Sequence, residues 1–424
     1  MARGEESEEG GADTTQTEQV HLRDPFQHFS SFHRLSLMTT SSANPAAAAA
    51  DASHATQTAI IQIDSTKPAA LPLAVSNTVP MPTIPPPAGH VLIRVLTTAL
   101  NPNDFKMPTY MPDPGATAGC DYCGIVIATS PADDSHSYRE GDRVCGSLFA
   151  YNPARPLDGA FAQFATVDAR LALRVPASWT DAQAAVLGGI GWTTAALALW
   201  GEDMLALKGR PSRPVTGVES EPVLVYGGAT ASGTMASQLL KASGYRPIAI
   251  TSPASASLAR RYGAAGTASY LSASVVEDAR QATGNGIQIR HALDCITNAE
   301  SYAACMGAIA RRGGRYVCLE ALDASWPGGR KAVKVGVVMA FETTGYSVDY
   351  GAGSTYTRPA RVESYKLGVE AAAEMQALID DGRVVPHPVR ELKGGWDGIL
   401  KGLDMLRGAK VSGEKLVVRI PQDS

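Results

Sequence analysis

The sequence predicts an α/β fold: a mostly β domain whose chain is interrupted by a doubly wound parallel-sheet domain. Three observations predict it. A short apolar run, Val223–Tyr226, feeds a glycine-rich turn, and a helix-compatible stretch from Met235 to Ser243 follows. Beyond that turn, β-type runs alternate with helical ones as far as about residue 342, the pattern of a parallel sheet covered on both faces. On either side of this block, short β-rich runs are separated by clusters of turn residues, as in a compact antiparallel domain.

The 424 residues allow two or three domains and ample core. Hydrophobic residues make up 45% and charged residues 18%, an ordinary balance for a globular protein. With 37 basic and 41 acidic side chains, the net charge of −4 offers no footprint for a nucleic-acid partner. Six cysteines are too sparse for a disulfide framework and suit a reducing, cytoplasmic setting. No uninterrupted apolar run reaches the about 18 residues a bilayer span needs, so no membrane association is expected.

Residues 1–55 are rich in Ser, Thr, Ala, Gln and Glu without a sustained apolar period, which predicts disorder. The early acids Glu5, Glu6 and Glu8 argue against a transit peptide. Four of the eight histidines lie in this segment, leaving few for a catalytic site. From Ala59 the runs Ala59–Ile63, Val91–Thr98, Gly124–Ala128 and Phe161–Val167 predict strands of a first domain segment, 56–185. Residues 181–200 read as an amphipathic helix pair broken at Gly188-Gly-Ile-Gly191. The block 186–342 carries the predicted strands Val223–Tyr226, Pro247–Thr251, Ala268–Leu271, His291–Ile296, Arg315–Leu319 and Val335–Phe341. The segment 343–424, with helices predicted at Ser364–Asp381 and Ile399–Arg407 and a strand at Lys415–Ile420, returns to complete the first domain.

The turn Gly227-Gly228-Ala229-Thr230-Ala231-Ser232-Gly233 joins a strand to a helix, where bare backbone N–H groups and a positive helix end suit a pyrophosphate. NAD-binding units place an acid about 20 residues further on, for the ribose 2′-hydroxyl. Here the second strand ends in Ile250-Thr251-Ser252-Pro253-Ala254-Ser255 with no acid. Small hydroxyls there, with Arg260, Arg261 and Tyr270 nearby, suit a 2′-phosphate and favour NADPH over NADH; alternatively the serines, Ser255 among them, cap the next helix. Cys120-Asp-Tyr-Cys123 has no second pair and no neighbouring histidine, so no metal site is expected. By itself Lys106 reads as a solvated loop lysine, and the hydroxyls in Gly191-Trp192-Thr193-Thr194 read as helix caps. Asn298 is either a helix N-cap or a ligand contact beyond a strand's carboxyl end.

Several stretches together carry a resemblance over residues 57–424. They are Ala99-Leu-Asn-Pro-Asn-Asp-Phe-Lys106, Gly119-Cys-Asp-Tyr-Cys-Gly-Ile-Val126, Glu140-Gly-Asp-Arg-Val144, Gly159-Ala-Phe-Ala-Gln-Phe164, Tyr226-Gly-Gly-Ala-Thr-Ala231, Leu293-Asp-Cys-Ile-Thr297 and Val411-Ser-Gly-Glu-Lys415. The sequence resembles the medium-chain dehydrogenase/reductase superfamily, without the zinc histidine, since Cys120 stands in its place. Within it, Asp104-Phe-Lys-Met-Pro108, Pro114-Gly-Ala-Thr117 and Thr251-Ser-Pro253 look most like the trans-acting enoyl reductases of fungal polyketide synthases.

The resemblance implies a GroES-like, mostly β catalytic domain beside a Rossmann-type NADPH domain. It implies NADPH contacts from Asn103, Asp104, Phe105 and Lys106, from Ala229 to Ser232, from Ser252, Pro253, Ala254 and Ser255, and from Tyr270, Thr297, Asn298, Val411 and Ser412. An acyl-substrate wall is implied from Trp192, Thr193, Thr194, Ala195, Ala196, Leu197, Ala198 and Leu199 and from Val317, Cys318, Leu319, Glu320 and Ala321, with Lys106 and Thr194 near the chemistry. The implied activity is reduction of an α,β-unsaturated thioester held on the acyl carrier of a partner synthase, by a monomer or weak oligomer. The alternatives are an NADPH quinone or enone reductase acting on free small molecules, and a reductase-like binding protein without catalysis.

Overall fold

The computed structural model describes residues 55–64, 70–110, 112–130, 138–216, 221–284 and 286–422. The disorder expected of residues 1–55 therefore lies outside the described residues, save Ala55.

The first part runs β1 (Thr56–Gln62), β2 (Leu73–Pro80), β3 (His90–Ala99), α1 (Pro102–Tyr110), β4 (Asp121–Thr129), β5 (Arg143–Ser147), β6 (Phe164–Asp168) and β7 (Leu173–Arg174). The helices α2 (Asp181–Leu187) and α3 (Ile190–Trp200) lead out of it. The middle part is β8 (Pro222–Tyr226), α4 (Ala231–Ala242), β9 (Arg246–Thr251), α5 (Ala256–Arg261), β10 (Gly266–Ser269), α6 (Val275–Gln281), β11 (His291–Asp294), α7 (Ala299–Ala308), β12 (Gly314–Cys318) and β13 (Val333–Val337). The chain ends with α8 (Val362–Asp380), β14 (Val389–Leu392), α9 (Gly395–Arg407) and β15 (Lys415–Arg419).

The middle strands form one parallel sheet in the order β10-β9-β8-β11-β12-β13. All five residues of β8 are buried, as a central strand covered on both faces requires. Strand order reverses between β8 and β11, and the crevice outside the carboxyl ends at such a switch point is where open α/β sheets take ligands. The other large sheet follows the path β14-β15-β3-β4-β5-β7, with β6 also on β3. Its strand β15 lies antiparallel to β3, Val417 opposite Ala99, so residues at the end of the chain complete a sheet begun near residue 90.

Some expectations need correction. The pair α2–α3 is not amphipathic: Trp192, Thr193 and Ala195–Leu199 are all buried, and a helix apolar all round belongs in a core. The stretch 181–200 is long and apolar enough to cross a membrane, yet 78% of its apolar window is buried inside the protein. The break falls at Gly188 and Gly189, where a Cβ on Gly189 would stand 2.2 Å from the Ser147 amide nitrogen. Lys106 sits on a helix, not in a loop, because α1 accommodates Pro108 in its last turn. The expected strand Val335–Phe341 ends at Val337 and gives way to a 3-10 turn, Ala340–Thr344.

Candidate functional site

The glycine turn occupies the switch point, and each glycine there answers a steric demand. Gly227 has φ +73°, which favours glycine, and a Cβ on it would press on Ile296 beside β11. A Cβ on Gly228 would lie 2.5 Å from that of Ala249 on β9. One on Gly233 would lie 2.3 Å from the Gly227 carbonyl oxygen, so α4 approaches the turn as closely as backbone allows. The Thr230 hydroxyl caps α4 by accepting the Gly233 amide at 3.0 Å, which starts the helix at Ala231, before the expected Met235. The first-turn amides at Ala231 and Ser232 and the positive helix end suit a pyrophosphate.

At the end of β9, Ser252 accepts the Ser255 amide at 3.2 Å and donates to the Ser255 hydroxyl at 3.0 Å. Ser252 is thus the cap of the 3-10 turn Pro253–Ser255, whereas the cap expected of Ser255 is not made. Tyr270, beyond β10, is 47% exposed. Arg260 donates to the Thr267 hydroxyl, and Arg261 instead joins Tyr262 and His387 around a separate cavity. The loop carrying Val411 and Ser412 comes against this corner, Gly413 facing Leu258 of α5.

Beyond β11, Asn298 caps α7 in a capping box with Ser301. Thr297 has φ +59°, an uncommon conformation for a β-branched residue and one that clusters at functional sites. It is held by its amide on Asp294 Oδ1 and by its hydroxyl, which accepts the Leu319 amide at 3.2 Å. Opposite, Lys106 Nζ reaches Glu320 Oε1 at 2.5 Å, and Tyr356 Oη donates to Glu320 Oε2 at 3.3 Å while accepting the Ala321 amide at 2.8 Å. Lys106 and the glycine turn therefore both lie at the carboxyl ends of β11 and β12. Glu320 entered the sequence reading only as substrate wall, and Tyr356 not at all; position beyond a parallel strand's end was the one available pointer to Glu320.

Beneath α1 lies a buried polar hub. Asp121 Oδ1 accepts the Gly189 and Ile190 amides at 2.9 and 2.8 Å, and Oδ2 takes Asn101 Nδ2 and Lys415 Nζ. The hydroxyls expected to cap α3 do not: Thr193 Oγ1 donates back to the Gly189 carbonyl, and the cap comes from Asp121. Asp104, expected among the cofactor contacts, is fully buried. Burial pushes its carboxyl up to about 7, against the Asn101 amide bond and with Asp121 adding to the rise. Cys120 is also buried, its thiol raised by burial and by both aspartates, and accepts Asn103 Nδ2 at 3.0 Å. Among the described residues no group of three or more His, Cys, Asp or Glu gathers as a metal site.

The residues of the implied acyl wall differ in burial. Trp192, Thr193, Ala195–Leu199, Val317 and Cys318 are buried, with Trp192 donating to the Gly188 carbonyl. Thr194, Leu319, Glu320 and Ala321 are half-buried. So are Asn103, Phe105, Lys106, Thr230 and Asn298.

A β-rich domain joined to a parallel sheet with a glycine turn at its switch point is the architecture of a two-domain dehydrogenase or reductase. Residues 87–177 match the alcohol dehydrogenase GroES-like domain. The trans-enoyl reductase calK of Penicillium decumbens is 48% identical over 374 residues, 87% of this chain and 99% of that protein. The trans-enoyl reductase sthE of Phaeosphaeria nodorum is 47% identical over 364 residues, covering 86% and 97%. The solved structure of mycobacterial Rv1454c complexed with NADPH has the same fold, with a TM-score of 0.61 at 21% identity over 86% of this chain and 100% of that one. The chain belongs to the trans-enoyl reductases, oxidoreductases of the medium-chain dehydrogenase/reductase superfamily.

Proposed function

We propose that this protein uses NADPH to reduce the α,β-unsaturated acyl thioester carried by a partner polyketide synthase, acting in trans. The observation that carries the cofactor assignment is the pairing of a tight glycine cradle with a second strand that ends on Ser252 and no acid. A carboxylate there would repel a 2′-phosphate; a serine can donate to it. We assign residues 56–185 and 343–424 to the catalytic domain, in keeping with the β15–β3 pairing, and 186–342 to the cofactor domain.

The dinucleotide, when bound, supplies a hydride to the alkene β-carbon, and a proton must then reach the α-carbon. The residues of the chain orient and stabilise. The first-turn amides of α4 and the Thr230 cap seat the diphosphate, while Ser252, Ser255 and Tyr270 face the adenosine end. Thr297 and Asn298 border the middle of the crevice. Lys106 presents an ammonium across it, suited to hydrogen-bond the ribose or to stabilise negative charge growing on the thioester oxygen. Thr194, half-buried one turn into α3, borders the acyl side.

The test is oxidation of NADPH by purified protein with an enoyl pantetheine or enoyl-carrier thioester. Turnover is expected, and Lys106→Ala should lower it about a hundredfold, the scale of one lost transition-state donor. Activity on quinones with none on thioesters would overturn the substrate assignment.

A further inference from the structure

We propose that Glu320 and Tyr356 are positioning residues that fix the Lys106 ammonium at the carboxyl end of β12, an inference that rests on the role just given to Lys106. Three separated parts of the chain meet at this one carboxylate. Lys106 comes from α1 of the first part, Glu320 lies two residues past β12 of the parallel sheet, and Tyr356 belongs to the segment that follows that sheet. Lys106 Nζ takes Oε1 at 2.5 Å and Tyr356 Oη takes Oε2 at 3.3 Å, so each carboxylate oxygen has its own partner and the group cannot turn without losing one. Tyr356 is itself fixed, because its hydroxyl accepts the Ala321 amide at 2.8 Å and its own amide bonds Ser354 Oγ at 3.2 Å.

The exposure of the pair argues for positioning over stability. Its side chains are 36% and 28% exposed, and ion pairs so open to water add little to the fold. A lysine has a long, flexible stem, however, and an ammonium at a crevice mouth would spread over many rotamers. Glu320 removes that freedom before substrate arrives, and Tyr356 keeps Glu320 from following the lysine into solvent. Holding a reacting group in place beforehand is among the larger sources of rate. The arrangement also makes chemistry at Lys106 depend on the segment around Tyr356, which the sequence places some 250 residues away from it.

Steady-state kinetics on the full chain test this, with Glu320→Gln, Glu320→Asp, Tyr356→Phe, Lys106→Ala and the double variant Lys106→Ala/Glu320→Gln. Glu320→Gln should lower kcat about tenfold or more while the KM for NADPH moves less than about threefold. Glu320→Asp, which keeps the charge, should retain more activity than Glu320→Gln, and Tyr356→Phe should give a smaller loss in kcat of the same kind. The double variant should be no slower than Lys106→Ala alone, since residues acting through one group are not additive. Losses that multiply in the double variant, or wild-type kcat for Glu320→Gln beside a slow Lys106→Ala, overturn the positioning role alone. Wild-type turnover for Lys106→Ala overturns the reading of Lys106 and the positioning role with it. Should Glu320→Gln fail to fold, Glu320→Asp and Tyr356→Phe carry the same comparison.

Discussion

Lys415, the first residue of β15, places its ammonium 2.5 Å from the carboxylate of Asp121, the first residue of β4, and the two side chains are only 5% and 0% exposed. Through the other oxygen of that carboxylate the pair also caps α3. Removing one partner of a buried ion pair strands the other charge, at about 3–5 kcal/mol. Lys415→Met should lower the unfolding free energy by an amount of that order, read as a lower denaturant midpoint, and adding Asp121→Asn should recover part of the loss. A Lys415→Met midpoint equal to wild type would refute the pairing.

Gly233→Ala should weaken NADPH binding. The new Cβ would meet backbone at 2.3 Å, so α4 must withdraw from the turn. Overpacking of this kind costs about 1–3 kcal/mol, and the NADPH Kd from fluorescence titration should rise about tenfold. Gly191→Ala is the control, since nothing lies within 4 Å of its added Cβ and affinity should hold.

Ser252→Asp should select between cofactors. Aspartate can still cap the 3-10 turn, so the local fold survives. Its charge would oppose a 2′-phosphate and accept a 2′-hydroxyl. NADPH affinity should fall about tenfold or more with NADH much less affected; equal losses for both would end the 2′-phosphate assignment.

Stability should respond to pH in two opposed ways. Burial, with the Lys415 charge adding to it, holds His387 down to about 4. The unfolded imidazole protonates near 6.5, so between those values the unfolded state binds more protons and stability falls as pH falls. Asp104 has the opposite sign: raised to about 7, it is protonated in the fold where the unfolded carboxyl is not, and its contribution is lost as pH rises through 7. Urea midpoints from pH 4.5 to 8 check both. His387→Gln should flatten the acid side, and the advantage of Asp104→Asn over wild type should grow from pH 5 to 8. An unchanged acid slope in His387→Gln would refute the first, and an advantage that does not grow would refute the second.

The parallel sheet and its glycine turn were legible because their signals are local: an apolar run, three glycines and a helix lie within about twenty consecutive residues. The missing acid after β9 was legible for the same reason. What escaped the sequence was whatever several distant segments make together. The cap of α3 comes from Asp121, 68 residues from Gly189, and its cation from a residue 294 positions away. Apolar composition predicted helix over 190–200, but which side would meet solvent depended on α4 and α8 packing around it. Lys106 read as a loop residue because the prolines within its short helix, Pro102 and Pro108, hide the period.

The position of β15 bears on how the protein comes into being. This strand lies between β14 and β3 in its sheet, not at the rim, and begins with the lysine that neutralises Asp121. On a ribosome, β3 and β4 emerge about 290 residues ahead of it. Throughout that interval the Thr97–Ala99 end of one edge of β3 lacks its strand and one carboxylate its counter-ion, while the parallel sheet between them can be made and closed. The antiparallel half is thus begun first and finished last, and a nascent chain cut short before residue 415 would hold a complete parallel sheet beside a half-built one.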